Sequence, residues 1–168
     1  GVMFTGYHSA ASMPTNPLSH TMNGRNVYVK INDIICPELF INALTAAYEG
    51  KPIYLLTGDK GLCEWLHKMN ANIPTVAVSE GMGGASLSIN PHLAVKRIRE
   101  AAEKALSIDP KKLMFPMPDH FRVEIAFRNH TYATNGSHYP GCVQLDSTRV
   151  AFESNDYMDV LKFFYWVL

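Results

Sequence analysis

Two short apolar runs in the middle of the chain constrain its fold more than any other feature. They cover residues 53–56 (Ile-Tyr-Leu-Leu) and 75–78 (Thr-Val-Ala-Val). Runs of this length without alternating polar residues are typical of strands that are covered on both faces, as in a parallel sheet. Because a stretch with helical spacing follows each run, the sequence predicts an α/β fold with a parallel element.

Four stretches carry apolar residues at the i, i+3, i+4, i+7 spacing of an amphipathic helix, in residues 40–47, 62–69, 98–105 and 160–167. Asp59 is the expected N-cap of the second helix, and Asn90 followed by Pro91 is expected to begin the third. For the last helix we expect Ser154 or Asn155 as the cap.

The pattern changes in the late part of the chain. Apolar and polar residues alternate in residues 123–127 and 149–153, and also in residues 27–31, which predicts strands with one solvated face. We therefore expect an α/β fold with a partly parallel sheet, flanking helices and a late antiparallel strand pair. In this interpretation residues 1–110 form the α/β region that carries the candidate site. Residues 111–168 form the strand pair and last helix, packed on the same unit.

Three segments show neither periodicity and are predicted to be irregular, namely residues 8–24, 79–90 and 129–142. Long irregular connections inside a compact domain are usually functional or mobile. The glycine-rich part of the second segment lacks the Lys-Ser/Thr of a P-loop and the spacing of a dinucleotide fingerprint. The chain has no G-x-S-x-G elbow and no H-E-x-x-H helix, which argues against serine hydrolases and zincins.

Composition excludes several classes of protein. The 168 residues are 47% hydrophobic and carry 15 basic and 15 acidic side chains. High apolar content without net charge is unlike a disordered chain. We expect no nucleic-acid partner and no membrane partner, because proteins that bind these anionic partners carry clustered basic charge and this chain is neutral. The longest apolar run, residues 163–168, is far too short to span a bilayer.

Cysteines and chain ends add two expectations. Cys36, Cys63 and Cys142 are odd in number and form no C-x-x-C pair, so a disulfide framework is not expected. With no visible signal peptide, we predict a cytoplasmic location. The chain opens on strand-like residues 2–4 and closes on apolar residues 163–168, whereas termini are usually exposed. We therefore expect it to be the later part of a larger protein.

Two histidines and one glutamate are the candidate site residues. His8 ends the first predicted strand, and strand ends in α/β sheets are where ligands bind. His20 follows a loop with two prolines, and Glu38 lies in the first turn of the first helix. Zinc accepts histidine and glutamate as ligands. From the residues alone, hydrogen-bonded loop histidines and an ordinary helix-start glutamate remain open alternatives.

Four motifs occur in order in the first 60 residues. They are Gly6-Tyr7-His8 followed by Ser-Ala-Ala-Ser, then Ser19-His20-Thr21-Met22, then Ile31-Asn32-Asp33 leading to Glu38-Leu39, and Leu-Leu-Thr-Gly-Asp ending at Asp59. Together they resemble the D-aminopeptidase family of metallopeptidases. The resemblance implies a zinc-dependent aminopeptidase that removes N-terminal residues, which are D-amino acids in the type enzyme of the family. It also implies that His8 and Glu38 are zinc ligands and that His20 is the catalytic histidine.

The same resemblance implies two zinc ions per site, with further ligands from an Asp-x-Glu-Gly element and from an upstream histidine. No Asp-x-Glu-Gly occurs in these residues, so the fold and the metal site are expected to lack the N-terminal half of the family pattern. We expect the chain alone to be inactive and the full-length protein to be a metallo-aminopeptidase acting on short peptides or aminoacyl amides. The alternatives are a non-catalytic α/β ligand-binding or assembly module, and an amidase with the same type of metal site.

Assembly is a further expectation. Aromatic residues are abundant in the last third of the chain, and exposed apolar surface often marks interfaces. The resemblance implies a ring-shaped homo-oligomer. The alternative is that these aromatic residues cover the remaining part of a larger protein.

Overall fold

The structure, a computed structural model, describes residues 1–168. Its strands are β1 (Val2–Tyr7), β2 (Asn26–Ile31), β3 (Ile34–Ile35), β4 (Ile53–Asp59), β5 (Thr75–Met82), β6 (Ala85–Ser88), β7 (Phe121–Phe127), β8 (Val143–Gln144) and β9 (Arg149–Ser154). Its α-helices are α1 (Glu38–Tyr48), α2 (Lys60–Met69), α3 (Pro91–Ala105), α4 (His130–Gly136) and α5 (Tyr157–Val167), and a short 3₁₀ helix covers Pro110–Leu113.

These elements belong to two units. Unit 1 contains Gly1–Ser9, Met13–Ser19 and Leu39–Met117, and unit 2 contains Ala10–Ser12, His20–Glu38 and Pro118–Leu168. The division of the chain at residue 110 stays a prediction about its domain organisation.

Unit 1 is built on a four-stranded sheet in the order β1-β4-β5-β6. β4 lies between β1 and β5 and is parallel to both. Ile53, Leu55 and Leu56 of β4 are each at most 1% exposed, as expected for a strand covered on both faces. The apolar runs therefore form parallel strands, and the predicted α/β fold is confirmed.

The segment 79–90 was expected to be irregular, and this expectation is wrong. β5 continues to Met82 and pairs with the antiparallel β6. Gly83 and Gly84 form the two-residue turn between them, with Gly83 at a φ of 61°. Glycine adopts this left-handed conformation without strain, and tight hairpins favour it. The Gly-Gly pair therefore makes a hairpin where periodicity shows none.

Unit 2 is built on an antiparallel sheet in the order β3-β2-β7-β9-β8. The predicted late strand pair is present as β7 and β9, and β2 extends it by pairing with β7. α5 packs on β7 and β9, and the ring of Phe163 in this helix stacks on Phe152 with ring centroids 4.7 Å apart. Five core residues on β2, β7 and β9 are fully buried: Val29, Ile31, Val123, Ile125 and Val150.

In both units, single side chains cap the N-termini of helices. Asp59 and Asn90 cap α2 and α3, as predicted. The cap of α5 is Asp156, whose carboxylate accepts from the Met158 amide at 2.9 Å. Neither predicted cap, Ser154 or Asn155, is the N-cap. Ser154 Oγ accepts a hydrogen bond from the Asp156 amide, which precedes the helix. The segment 129–142, expected to be irregular, contains the short helix α4.

No helix in this chain is both long and apolar enough to cross a membrane. The late aromatic residues divide into two groups. Phe115, Phe121 and Phe152 are buried core residues, whereas Tyr165 and Trp166 are 81% and 73% exposed. Part of the aromatic surplus therefore fills the cores, and part of it lies on the surface of α5.

Candidate metal centre

Glu38 is the first residue of α1, and its carboxylate is held by a distant segment of the chain. Its Oε1 atom accepts a hydrogen bond of 2.9 Å from the backbone amide of Met22. The Nε2 atom of His20 lies 3.7 Å from the same oxygen. This distance is longer than an ordinary hydrogen bond. The imidazole therefore lies beside the carboxylate oxygen that Met22 orients, without a direct hydrogen bond to it.

The backbone at Met22 is arranged to make this contact. Met22 has a φ of 63°, a left-handed conformation that is uncommon for residues other than glycine. Its neighbours form a tight turn, since Asn23 donates its amide to the Thr21 carbonyl at 2.7 Å. Asn26 is buried and donates through Nδ2 to the same carbonyl at 2.8 Å. The turn therefore directs the Met22 amide towards Glu38 at some cost in backbone strain.

Thr21, which follows His20 in the chain, is fully buried and joins three segments of unit 2. Its hydroxyl donates to the Cys36 carbonyl at 2.9 Å and accepts from the Ala11 amide at 3.3 Å. Cys36 lies two residues before Glu38. One hydroxyl thus connects the segment of His20 with the segment of Glu38, and with the stretch that follows His8.

His8 follows β1 directly and lies in unit 1. Its Nδ1 atom is 2.9 Å from the carbonyl oxygen of Ser9. A carbonyl can only accept, so Nδ1 carries the proton in this hydrogen bond and Nε2 carries the ring's lone pair. Ser9 itself is fully buried and contacts the carboxylate of Asp59.

The side chains of the pair in unit 2 remain accessible. The His20 side chain is 41% exposed and that of Glu38 is 27% exposed. A substrate or an ion can therefore approach both from solvent. Imidazole nitrogens and carboxylate oxygens are donors that zinc accepts, so the residue types at these positions fit this metal.

Three contributors were not found by sequence reasoning. Thr21 and Met22 have no signal of their own, because their roles depend on a buried hydroxyl and on a backbone amide. Asp59 was predicted only as an N-cap, and it has this role together with its contacts to Ser9. Two other histidines have partners of their own. His120 contacts Asn155 Oδ1 through Nδ1, and His138 contacts the Thr134 carbonyl through Nδ1.

The profile of the D-aminopeptidase family matches residues 1–166, almost the whole chain. The chain belongs to this family. The D-aminopeptidase of Bacillus subtilis is 28% identical to it over 164 residues, which are 96% of this chain and 60% of that protein. The family resemblance seen in the motifs is confirmed.

A solved structure of the family has the same fold. It is the Zn-dependent D-aminopeptidase DppA from Bacillus subtilis, described as a self-compartmentalizing protease. The TM-score is 0.84 at 27% sequence identity, over 99% of this chain and 63% of that one. This chain thus spans a little under two thirds of the length of the D-aminopeptidase that it matches.

Proposed function

We propose that this chain supplies His8 and Glu38 as zinc ligands, and His20 as the proton-transferring group, of a metallo-aminopeptidase. The observation that carries the proposal is the single Glu38 oxygen that faces both the Met22 amide and His20 Nε2. Membership of the D-aminopeptidase family and the zinc dependence of a member with the same fold support it.

The proposed chemistry divides between the metal and the side chains. Zinc bound there would supply Lewis-acid activation of a water molecule and of the scissile carbonyl. Glu38 would hold the metal with an oxygen whose direction the Met22 amide fixes. His20 would accept a proton at Nε2 during attack and return it to the leaving amine, because histidine exchanges protons readily near neutral pH.

His8 and Glu38 are two protein ligands, whereas open catalytic zinc sites usually have three. We propose that the remaining ligands, including those for a second zinc ion, come from outside these 168 residues. The proposed substrates are short peptides or aminoacyl amides with an N-terminal D-residue. By analogy with the self-compartmentalizing relative, we propose that the working form is a homo-oligomer. Sedimentation velocity of the full-length protein tests this, and a monomer at micromolar concentration would contradict it.

The main experiment measures zinc content and the hydrolysis of D-alanine p-nitroanilide by the full-length protein and by the 168-residue chain. We expect bound zinc and activity in the full-length protein, and no activity in the shorter chain. Glu38→Gln keeps an oxygen for the Met22 amide but removes the charge, so zinc content should fall while the fold is kept. Glu100→Gln is the control, because Glu100 lies exposed on α3.

Two outcomes would overturn the proposal. A full-length protein that contains no zinc and cleaves no D-aminoacyl substrate would point to the non-catalytic alternative. Full activity of the 168-residue chain would contradict the need for outside ligands. A parallel panel of D- and L-aminoacyl amides and dipeptides separates a peptidase from an amidase, and a preference for L-residues would overturn the proposed stereospecificity.

A further inference from the structure

The last residues of β4 contact the end of β1, the strand that precedes His8. Thr57 accepts the Gly6 amide on its hydroxyl at 3.1 Å. Gly6 has a φ of 74°, and the pairing of β1 with β4 is irregular between Phe4 and Tyr7. Gly58 lies so close to the Tyr7 carbonyl that a Cβ atom there would overlap it. The Thr-Gly pair therefore fixes the path of the backbone up to Tyr7.

Asp59, the last residue of β4, holds the segment that follows Tyr7. Its carboxylate is buried and accepts four hydrogen bonds. Oδ2 accepts from the Ser9 amide at 2.6 Å and from Asn16 Nδ2 at 3.1 Å. Oδ1 accepts from the Ser9 hydroxyl at 2.6 Å and from the Leu62 amide at 2.9 Å. Only the bond to Leu62 belongs to the helix cap. The other three hold the segment that follows His8.

The contacts continue from Asp59 to the imidazole. Because Asp59 holds both the amide and the hydroxyl of Ser9, the orientation of Ser9 is fixed. The Ser9 carbonyl then lies 2.9 Å from His8 Nδ1, which fixes the ring and its tautomer. Partners of this kind orient metal-binding histidines and raise their affinity for the metal.

We infer that Asp59 is a positioning residue for the zinc ligand His8, acting through Ser9 and beyond its role as the N-cap of α2. The inference rests on the proposed function, since it assumes that His8 binds zinc. It explains why an aspartate is needed where a cap alone would not require one. Asparagine caps helices about as well as aspartate, but its amide group would face the two N–H donors from Ser9 and Asn16 that now meet Oδ2.

Asp59→Asn is the decisive variant, because it keeps one oxygen for the Leu62 amide and loses an acceptor for Ser9. The matched control is Asp156→Asn, at the N-cap of α5, whose carboxylate accepts from Met158 and is distant in sequence from His8. In the full-length protein, zinc affinity is measured by competition with a chromophoric chelator. The coordination of Co²⁺ is followed by its absorption spectrum, and folding by circular dichroism.

We expect Asp59→Asn to weaken zinc binding by about ten- to a hundredfold, in the range seen for partners of metal-binding histidines. The Co²⁺ spectrum should change, while Asp156→Asn leaves affinity and spectrum as in the wild type. Wild-type affinity and an unchanged Co²⁺ spectrum in Asp59→Asn would overturn the inference. A loss of zinc binding no larger than the fraction of unfolded protein measured by circular dichroism would also overturn it.

A second variant keeps the test decisive if Asp59→Asn does not fold. Ser9→Ala removes the hydroxyl bonds to Asp59 and to Thr15 Oγ1 but keeps the Ser9 amide. We expect a smaller but measurable loss of zinc affinity with a changed Co²⁺ spectrum, and wild-type behaviour would again contradict the inference. Failure of the proposed function is distinguishable, because the wild-type protein would then bind no zinc at all.

Discussion

The Thr21 hydroxyl donates a hydrogen bond of 2.9 Å to the carbonyl oxygen of Cys36, and this bond joins the segments that carry His20 and Glu38. Thr21 and Cys36 are both fully buried. The same hydroxyl accepts the Ala11 amide. The geometry of the His20–Glu38 pair therefore depends on a side chain that takes no part in the proposed chemistry.

Replacing Thr21 with valine should destabilise the protein. Valine has nearly the same shape, but it leaves the Cys36 carbonyl and the Ala11 amide without their shared partner in a buried position. Such a loss costs about 1–3 kcal/mol, measured as the free energy of unfolding in urea. Thr21→Ser keeps the hydroxyl and is the control, with a smaller expected loss. Equal stability of Thr21→Val and wild type would show that this hydroxyl contributes nothing.

Replacing His20 with glutamine should separate catalysis from metal binding. If His20 transfers the proton, kcat for D-alanine p-nitroanilide should fall by about 10²–10⁴-fold, the usual contribution of a positioned acid–base group. Zinc content should stay at the wild-type level, because His8 and Glu38 are the proposed ligands. His138→Gln, two residues after the end of α4, is the control. Loss of zinc together with activity would instead make His20 a ligand.

Glu124 on β7 should make the stability of the protein depend on pH. It is 7% exposed and accepts from Tyr28 at 2.5 Å and from Arg149 at 3.2 Å. Burial alone raises the pKa of this carboxyl, but the hydrogen bonds from Tyr28 and Arg149 outweigh it and hold the pKa below its ordinary value of 4.5. The folded state therefore favours the ionised form. Its contribution to stability is present above pH 4.5 and is lost as the pH falls through the folded pKa.

Glu124→Gln tests this dependence. We expect the variant to be less stable than wild type at pH 7, because removing one partner leaves the buried arrangement incomplete. The difference should shrink as the pH is lowered below 4.5, in urea unfolding measured between pH 3 and pH 7. Glu153→Gln removes an exposed carboxylate from the same sheet, and its effect at pH 7 should be small. A difference for Glu124→Gln that is constant over this range would contradict the lowered pKa.

Gly81 should not tolerate a side chain. Its amide donates to the Thr15 carbonyl at 3.0 Å, and a Cβ atom would overlap that same oxygen. Gly81→Ala should displace the loop around Thr15 and cost about 1–3 kcal/mol, as overpacking does. Gly84→Ala is the matched control, since its Cβ would meet open space. Urea unfolding measures the cost. Faster cleavage beside the exposed Leu18 by chymotrypsin would report the displaced loop, and equal stability of the two variants would contradict the prediction.

Periodicity was sufficient for the long elements. The apolar runs at 53–56 and 75–78 became β4 and β5, and the four helical stripes became α1, α2, α3 and α5. The short elements were missed, because the two residues of β3 or of β8 are too few to show a period. The pairing of β2 with β7 was missed for another reason. β2 and β7 lie far apart in sequence, and nothing in either strand records that they are neighbours in one sheet.

By itself, the sequence determined the fold class, the main elements, the family and the three candidate residues His8, His20 and Glu38. These depend on local chemistry: apolar spacing, capping side chains and short motifs. Only the tertiary structure decided that one carboxylate oxygen of Glu38 accepts the Met22 amide and lies beside His20 Nε2. It also decided that the Asp59 carboxylate accepts the Ser9 amide. Such contacts join residues up to fifty positions apart through backbone amides and buried hydroxyls. Every residue type has a backbone amide, so only the folded chain shows which one is used.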